Sequence, residues 1–336
     1  MKKVLLTGIS GYIGQHCAVA LLKQGYAVKG SLRSLKKAAA ITAIIEKEVD
    51  PKGKLSFCAL DLLSDTGWDE AAEDCDFLMH VASPFFSKIP KDENELIKPA
   101  VEGTQRALKA AHKAGIKRVV LTSSMVAMLG SVSGDEHIDQ QSWTDVTAKH
   151  ATAYLKSKTL AEKSAWEFAN THGMELVTIH PGPVYGPSLS DNLSGESMTL
   201  FKRILTGQLK QMIHASINMS DIRDVAKIHV LALENESAKG QRLVVATDRA
   251  HSYQEVIQLL KSEGYQRVST SMAPTFMVKL LANFNSEMKG MLPYVGKKYE
   301  ADISTTKTLF NWEPIPFKTM ILDTAASVST ILAKRD

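Results

Sequence analysis

The chain has 336 residues, 44% of them apolar, and 40 Lys and Arg against 36 Asp and Glu give a formal net charge of +4. That length suits one large α/β unit or two associated lobes, and so small and scattered an excess of positive charge argues against a nucleic-acid partner. Three cysteines with no C-x-x-C pair argue against a disulfide framework or thiolate metal site and fit a reducing cytoplasm; no apolar run approaches the roughly 18 residues of a membrane span.

Along the chain, short β-branched or apolar runs alternate with longer amphipathic stretches, the pattern of βα units feeding a parallel sheet. Strands are expected at 4–7, 27–32, 55–59, 77–82, 118–123 and 176–180. Helices are expected after Gly11, over 93–114 and over about 152–171, with Pro99 predicting a kink or a late start in the second. Pro181, Gly182, Pro183, Gly186 and Pro187 then crowd one segment, which marks a loop and a lobe boundary. Residues 217–234 and 241–245 read as strand, helix and strand, returning the chain to the sheet. The expected architecture is α/β, a Rossmann-type doubly wound parallel sheet from residues 1–180 and 219–250. A smaller, discontinuous substrate-binding lobe is expected from 181–218 and 251–336.

Gly8, Gly11 and Gly14 stand at G-x-x-G-x-x-G spacing directly after the first strand and at the mouth of a helix. Glycines let the backbone turn tightly and approach a pyrophosphate, while the free amides and positive dipole end of the helix favour its charge. With Ser10, Tyr12 and Ile13 they form the expected phosphate loop. The second strand ends Ser31-Leu32-Arg33-Ser34, and no Asp or Glu occurs before Glu46. A carboxylate there would bind the ribose hydroxyl of NAD; Arg33, with Lys36 or Lys37, offers charge for the 2′-phosphate instead, so NADP(H) is the expected cofactor.

Tyr154 and Lys158 lie four residues apart within an expected helix, on one face. A lysine ammonium near a phenol stabilises the phenolate, which suits proton transfer by Tyr154, and Lys158 can also hydrogen-bond the nicotinamide ribose. The ten histidines show no metal-ligand spacing and no G-x-S-x-G elbow occurs, so a metal site and a hydrolase are not expected. Asp135, Glu136 and Asp139 read as a solvated acidic loop.

Leu121-Thr122-Ser123-Ser124 precedes the tyrosine helix, and here the chain resembles the extended short-chain dehydrogenase/reductase family. The resemblance narrows to the branch of dihydroflavonol reductases, cinnamoyl-CoA reductases and microbial aldehyde and ketone reductases. It covers nearly the whole chain, including residues 7–14, 80–84, 99–104, 180–187 and 221–226. It implies that Ser124, with Ser123 as the alternative, hydrogen-bonds a substrate carbonyl beside Tyr154 and Lys158. It also implies Asp61 and Leu62 at the adenine, Val81, Ala82 and Ser83 along the cofactor, and Pro181, Gly182 and Val184 beside the nicotinamide. Asp224 is expected to be structural. Plant flavonoid reductases carry a polar residue where Leu129 stands, so a flavonoid substrate is not expected.

The expected function is NADPH-dependent reduction of a small, uncharged, apolar aldehyde or ketone, with Phe85, Phe86, Met125, Tyr185 and several later methionines toward the substrate. A nucleotide-sugar epimerase or dehydratase and a non-catalytic NAD(P)-sensing regulator are the alternatives. A cytoplasmic monomer or homodimer is expected.

Overall fold

The computed structural model describes residues 1–84 and 92–334. Its centre is a parallel sheet of seven strands: β1 (Lys3–Thr7), β2 (Ala27–Leu32), β3 (Leu55–Ala59), β4 (Phe77–His80), β5 (Arg118–Thr122), β6 (Glu175–Pro181) and β7 (Arg242–Val245). They lie in the order β3-β2-β1-β4-β5-β6-β7. Alternate side chains of a strand point to opposite faces, and both faces here are covered, which is why Val4, Leu5 and Leu6 of β1 are apolar in unbroken succession. Val4 and Leu6 join Cys17 and Leu21 of the Tyr12–Lys23 helix in one core layer. Leu5 joins Leu78, Val119 and Leu108 in the other. Strand order reverses between β1 and β4, and that switch point opens a crevice at their carboxyl ends.

Val81, Ala82 and Ser123, expected to be strand, lie just beyond the ends of β4 and β5, where the chain leaves the sheet for the crevice. The Asn94–Lys113 helix contains Pro99 but starts at Asn94, so the expected late start does not occur. Gly103 lets that helix press on the loop after β3, since a Cβ there would stand 2.8 Å from the Leu62 side chain.

A third core, including Tyr185, Phe201, Met219, Leu260, Met320 and Val328, fills the smaller lobe. Its helices include Glu196–Leu205, Tyr253–Ser262 and Phe317–Ala333. Met212 and Met219 are buried in it, while Met277 is 43% exposed.

A second sheet runs His251–Ser252, Ala215–Ile217, Lys297–Ala301, Glu136–Ile138. The last of these strands corrects the reading of a solvated acidic loop. Glu136–Ile138 pairs in parallel with Lys297–Ala301, Ile138 is fully buried, and Asp135 accepts the Lys298 amide at 2.6 Å. A three-residue strand carries too little periodicity to be read from sequence.

Asp224 fastens the Ile222–Leu231 helix to the C-terminal region. Its carboxylate accepts from the Trp312 indole at 2.9 Å and from the Ile315 amide at 2.7 Å, with Trp312 1% exposed. Replacing Asp224 by Ala strands two buried donors and should destabilise the protein by about 2–4 kcal/mol in urea unfolding. A loss below about 1 kcal/mol would contradict that role.

Candidate active site

One hydroxyl shapes the crevice. Thr7 Oγ1 accepts the amides of Val81 and Ala82, both at 3.1 Å, and lies 2.9 Å from His80 Nδ1. Two donors already occupy the oxygen, so its proton goes to the imidazole, and burial holds His80 neutral by lowering its pKa to about 3. The ends of β1 and β4 are thereby locked together.

The glycines lie where a side chain would block the backbone. A Cβ on Gly8, whose φ is +74°, would stand 2.8 Å from the Ala82 nitrogen, and one on Gly14 would stand 2.1 Å from the Gly8 carbonyl oxygen. No side chain caps the Tyr12–Lys23 helix at Gly11, so its first amides face the crevice without a side-chain partner. Backbone cradle and helix dipole together fit a pyrophosphate. The Tyr12 side chain points elsewhere: its hydroxyl donates to the Gly186 carbonyl at 2.9 Å, and His16 beside it reaches the Pro187 carbonyl at 3.0 Å. Both rings brace the helix against the loop after β6, a role that spacing does not reveal.

Arg33, Lys36 and Lys37 are all exposed. Among the described residues none of the three side chains has a hydrogen-bond or ion-pair partner. Asp61 turns its carboxylate onto its own loop, accepting the Leu63 amide at 2.9 Å, and Arg106 holds the Leu62 carbonyl at 2.7 Å. Both residues flank the end of β3.

Ser124 follows β5 and caps a short turn, Met125–Ala127, through the Val126 amide at 3.3 Å; its hydroxyl donates to the Pro181 carbonyl at 3.5 Å. Tyr154 opens the Ala153–His172 helix, whose first turn Thr152 caps. Burial raises the phenol pKa, Glu196 pushes it further, and the Ser124 hydroxyl opposes the shift. Burial lowers the Lys158 pKa to about 8, against the pull of Glu196 and Glu162. The Ser124 hydroxyl thus meets the Tyr154 phenol just beyond the carboxyl end of β5, with Lys158 one turn further along the same helix.

Ser123 is committed elsewhere. It donates to Glu162 at 2.6 Å, and the same carboxylate accepts from His180 at 2.8 Å, Arg242 at 2.7 Å, Trp166 at 3.1 Å and Thr178 at 3.3 Å. Burial alone would raise the Glu162 pKa, but His180 and Arg242 hold it well below the usual carboxylate range. Arg242 in turn stacks 3.7 Å from the Trp143 ring and donates to the carbonyls of Gln140 and Ser142. Glu162 was legible only as the continuation of Tyr154 and Lys158 by one more helical turn.

Gly182 donates its amide to Ser220 at 2.8 Å, and a Cβ on it would stand 2.1 Å from the Asn218 carbonyl oxygen and 3.2 Å from the Met125 sulfur. Val184 pairs with Ser220 just beyond Pro181. The residues expected at the substrate fare differently. Met125 is fully buried and Tyr185 is 1% exposed, packed on Phe201, so both support the wall from behind rather than form its surface. Leu129 is fully buried too. Phe85 and Phe86 lie outside the described residues. Glu196 and Tyr294 of the smaller lobe face Tyr154 electrostatically and were not anticipated.

Among the described residues, no cluster of His, Cys, Asp and Glu could hold a metal, and no helix is long and apolar enough to cross a membrane.

Comparison with known proteins places the chain among reductases in sequence and fold. Cinnamoyl-CoA reductase CAD2 of Medicago truncatula is 33% identical over 264 residues, covering 77% of this chain and 79% of its own. An anthocyanidin reductase of Vitis vinifera is 32% identical over 263 residues, 74% of this chain and 77% of its own. Among solved structures, yeast methylglyoxal/isovaleraldehyde reductase Gre2 complexed with NADPH superposes with a TM-score of 0.79 at 27% identity, covering 99% of each chain. With residues 4–246 matched, the chain belongs to the NAD dependent epimerase/dehydratase family.

Proposed function

We propose that the protein is an NADPH-dependent carbonyl reductase in which Tyr154 gives a proton to the oxygen of a small, uncharged aldehyde or ketone. The observation that carries this reading is the Ser124 hydroxyl against the Tyr154 phenol, with Lys158 one helical turn on, lining a cavity with the Ala82 that Gly8 packs against. The reductases among its relatives, and NADPH in the Gre2 complex, support it.

Bound NADPH supplies the hydride. Gly8, Gly11 and Gly14 would hold its pyrophosphate and Arg33, with Lys37, its 2′-phosphate. Val81, Ala82, Ser83, Pro181, Gly182 and Val184 would flank its length, with Asp61 and Leu62 at the adenine. Ser124 donates to the substrate oxygen, where negative charge gathers as the carbon is reduced. Tyr154 then releases its proton to that oxygen. Burial keeps the phenol protonated at rest, so the difficulty lies in the phenolate left behind, and the Lys158 cation offsets it. A Lys158 pKa near 8 leaves that cation in place at neutral pH.

Tyr154→Phe should lower kcat about 10²-fold to 10⁴-fold while leaving NADPH affinity nearly intact. Retention of a tenth of the activity, with chemistry rate-limiting, would assign the proton to another group. Arg33→Ala should raise KM for NADPH about tenfold to a hundredfold and that for NADH little; equal KM values for the two cofactors in the unmodified protein would refute the phosphate contact. Steady-state kinetics should also rank the serines, with Ser124→Ala losing far more turnover than Ser123→Ala. The reverse order would move the oxyanion contact to Ser123.

A further inference from the structure

We infer that Glu162 is a positioning residue for the reaction: from behind Lys158 it fixes the helix that carries Tyr154 and Lys158 and sets a buried negative charge one turn from the lysine. This rests on the reductase reading. Tyr154, Lys158 and Glu162 occupy successive turns of the Ala153–His172 helix, and i, i+4 spacing places them on one stripe. Glu162 reaches three strands at once, through Ser123 after β5, Thr178 and His180 on β6, and Arg242 on β7. The serine that meets the substrate is the immediate neighbour of the serine that Glu162 holds. A cavity of about 20 Å³ is lined by Lys158 and Glu162 together with Ser83, Thr104 and Ser123. It is large enough for one water between the amine and the carboxylate.

The charged and titratable groups facing Lys158 are Glu162 on its own helix, Glu196 from the smaller lobe and His80 from β4, which burial keeps neutral. Burial drives Lys158 down to about 8, and the two glutamates are what oppose it. Arg242 neutralises much of Glu162 on the far side, yet Glu162 still raises the Lys158 pKa. A lysine with a lowered pKa loses its proton as pH rises through that value. Removing the Glu162 charge lowers the pKa further, so the alkaline loss of function must move to lower pH.

The test compares Glu162→Gln with Trp166→Phe, which removes one neutral donor to the carboxylate and leaves its charge. Both kcat for an aromatic aldehyde and the Kd for NADPH are followed from pH 6 to 10. Glu162→Gln should shift the alkaline limb of both about 0.5–1 unit downward, and Trp166→Phe should leave it in place. Equal limbs in Glu162→Gln and the unmodified protein would overturn the electrostatic role, as would an equal shift in Trp166→Phe. If Glu162→Gln does not fold, Glu162→Gln/Arg242→Met removes both buried charges, which proteins often tolerate, and must still shift the limb downward, by less than Glu162→Gln because a cation is lost as well; no shift would overturn the role. NADPH binding whose alkaline limb shifts, in a protein with no turnover, would refute the reductase reading and leave the role of Glu162 standing.

Discussion

A buried carboxylate, Glu162, organises this site. Removing such a charge from water costs several kcal/mol, and only good geometry with hydrogen bonds to the remaining lone pairs offsets that. Here five side chains supply those bonds, two of them from His180 and Arg242, and Arg242 is itself held by a Trp143 stack and two carbonyls. The arrangement is specific because each donor belongs to a different register position. Sliding the Ala153–His172 helix by one residue would leave a buried guanidinium and a buried carboxylate unpaired. Tyr154 and Lys158 inherit their positions from that constraint, and Ser124 inherits its own from Ser123.

The cofactor side of the crevice rests on a second and simpler constraint. Thr7 ties β1 to the chain leaving β4, and Gly8 fits against Ala82 only because it has no side chain. A wall at Val81–Ser83 and a cradle at Gly8–Gly14 are therefore set at a fixed separation before any ligand arrives. Such preorganisation matters for hydride transfer, where small misplacements of the reacting carbons cost large factors in rate. The smaller lobe is bound into the same frame through the Tyr12 and His16 contacts to the loop after β6, through Asp224 and through the Glu136–Ile138 strand.

The sheet was legible in sequence because most of its strands are buried on both faces and carry short apolar runs; four of the six expected strands are displaced by no more than two residues at an end, and 27–32 and 55–59 coincide with β2 and β3. The glycine loop and the Tyr154 helix were legible because their chemistry follows from spacing along one element. Glu162, Thr7 and Arg242 were not, since their meaning comes from partners up to 102 residues away that only the folded sheet brings together. Tyr185 misled for the same reason. A tyrosine after a Pro/Gly loop has the composition of a binding-site residue, but the smaller lobe closes over it as core. Substrate preference is the least legible property, because it depends on cavity shape and on groups such as Glu196 that arrive from a distant part of the chain.

The central claim is a net passage of hydride from cofactor to a carbonyl carbon. It is tested most directly with NADPH carrying deuterium at C4 of the reduced ring, on both faces in separate samples, incubated with an aromatic aldehyde or alkyl ketone. The account predicts stoichiometric cofactor oxidation and, from one of the two labelled cofactors, a single deuterium on the carbinol carbon of the alcohol product. No consumption of NADPH with any carbonyl, or label that stays with the cofactor while a hydroxyl centre of a nucleotide sugar is inverted, would contradict it.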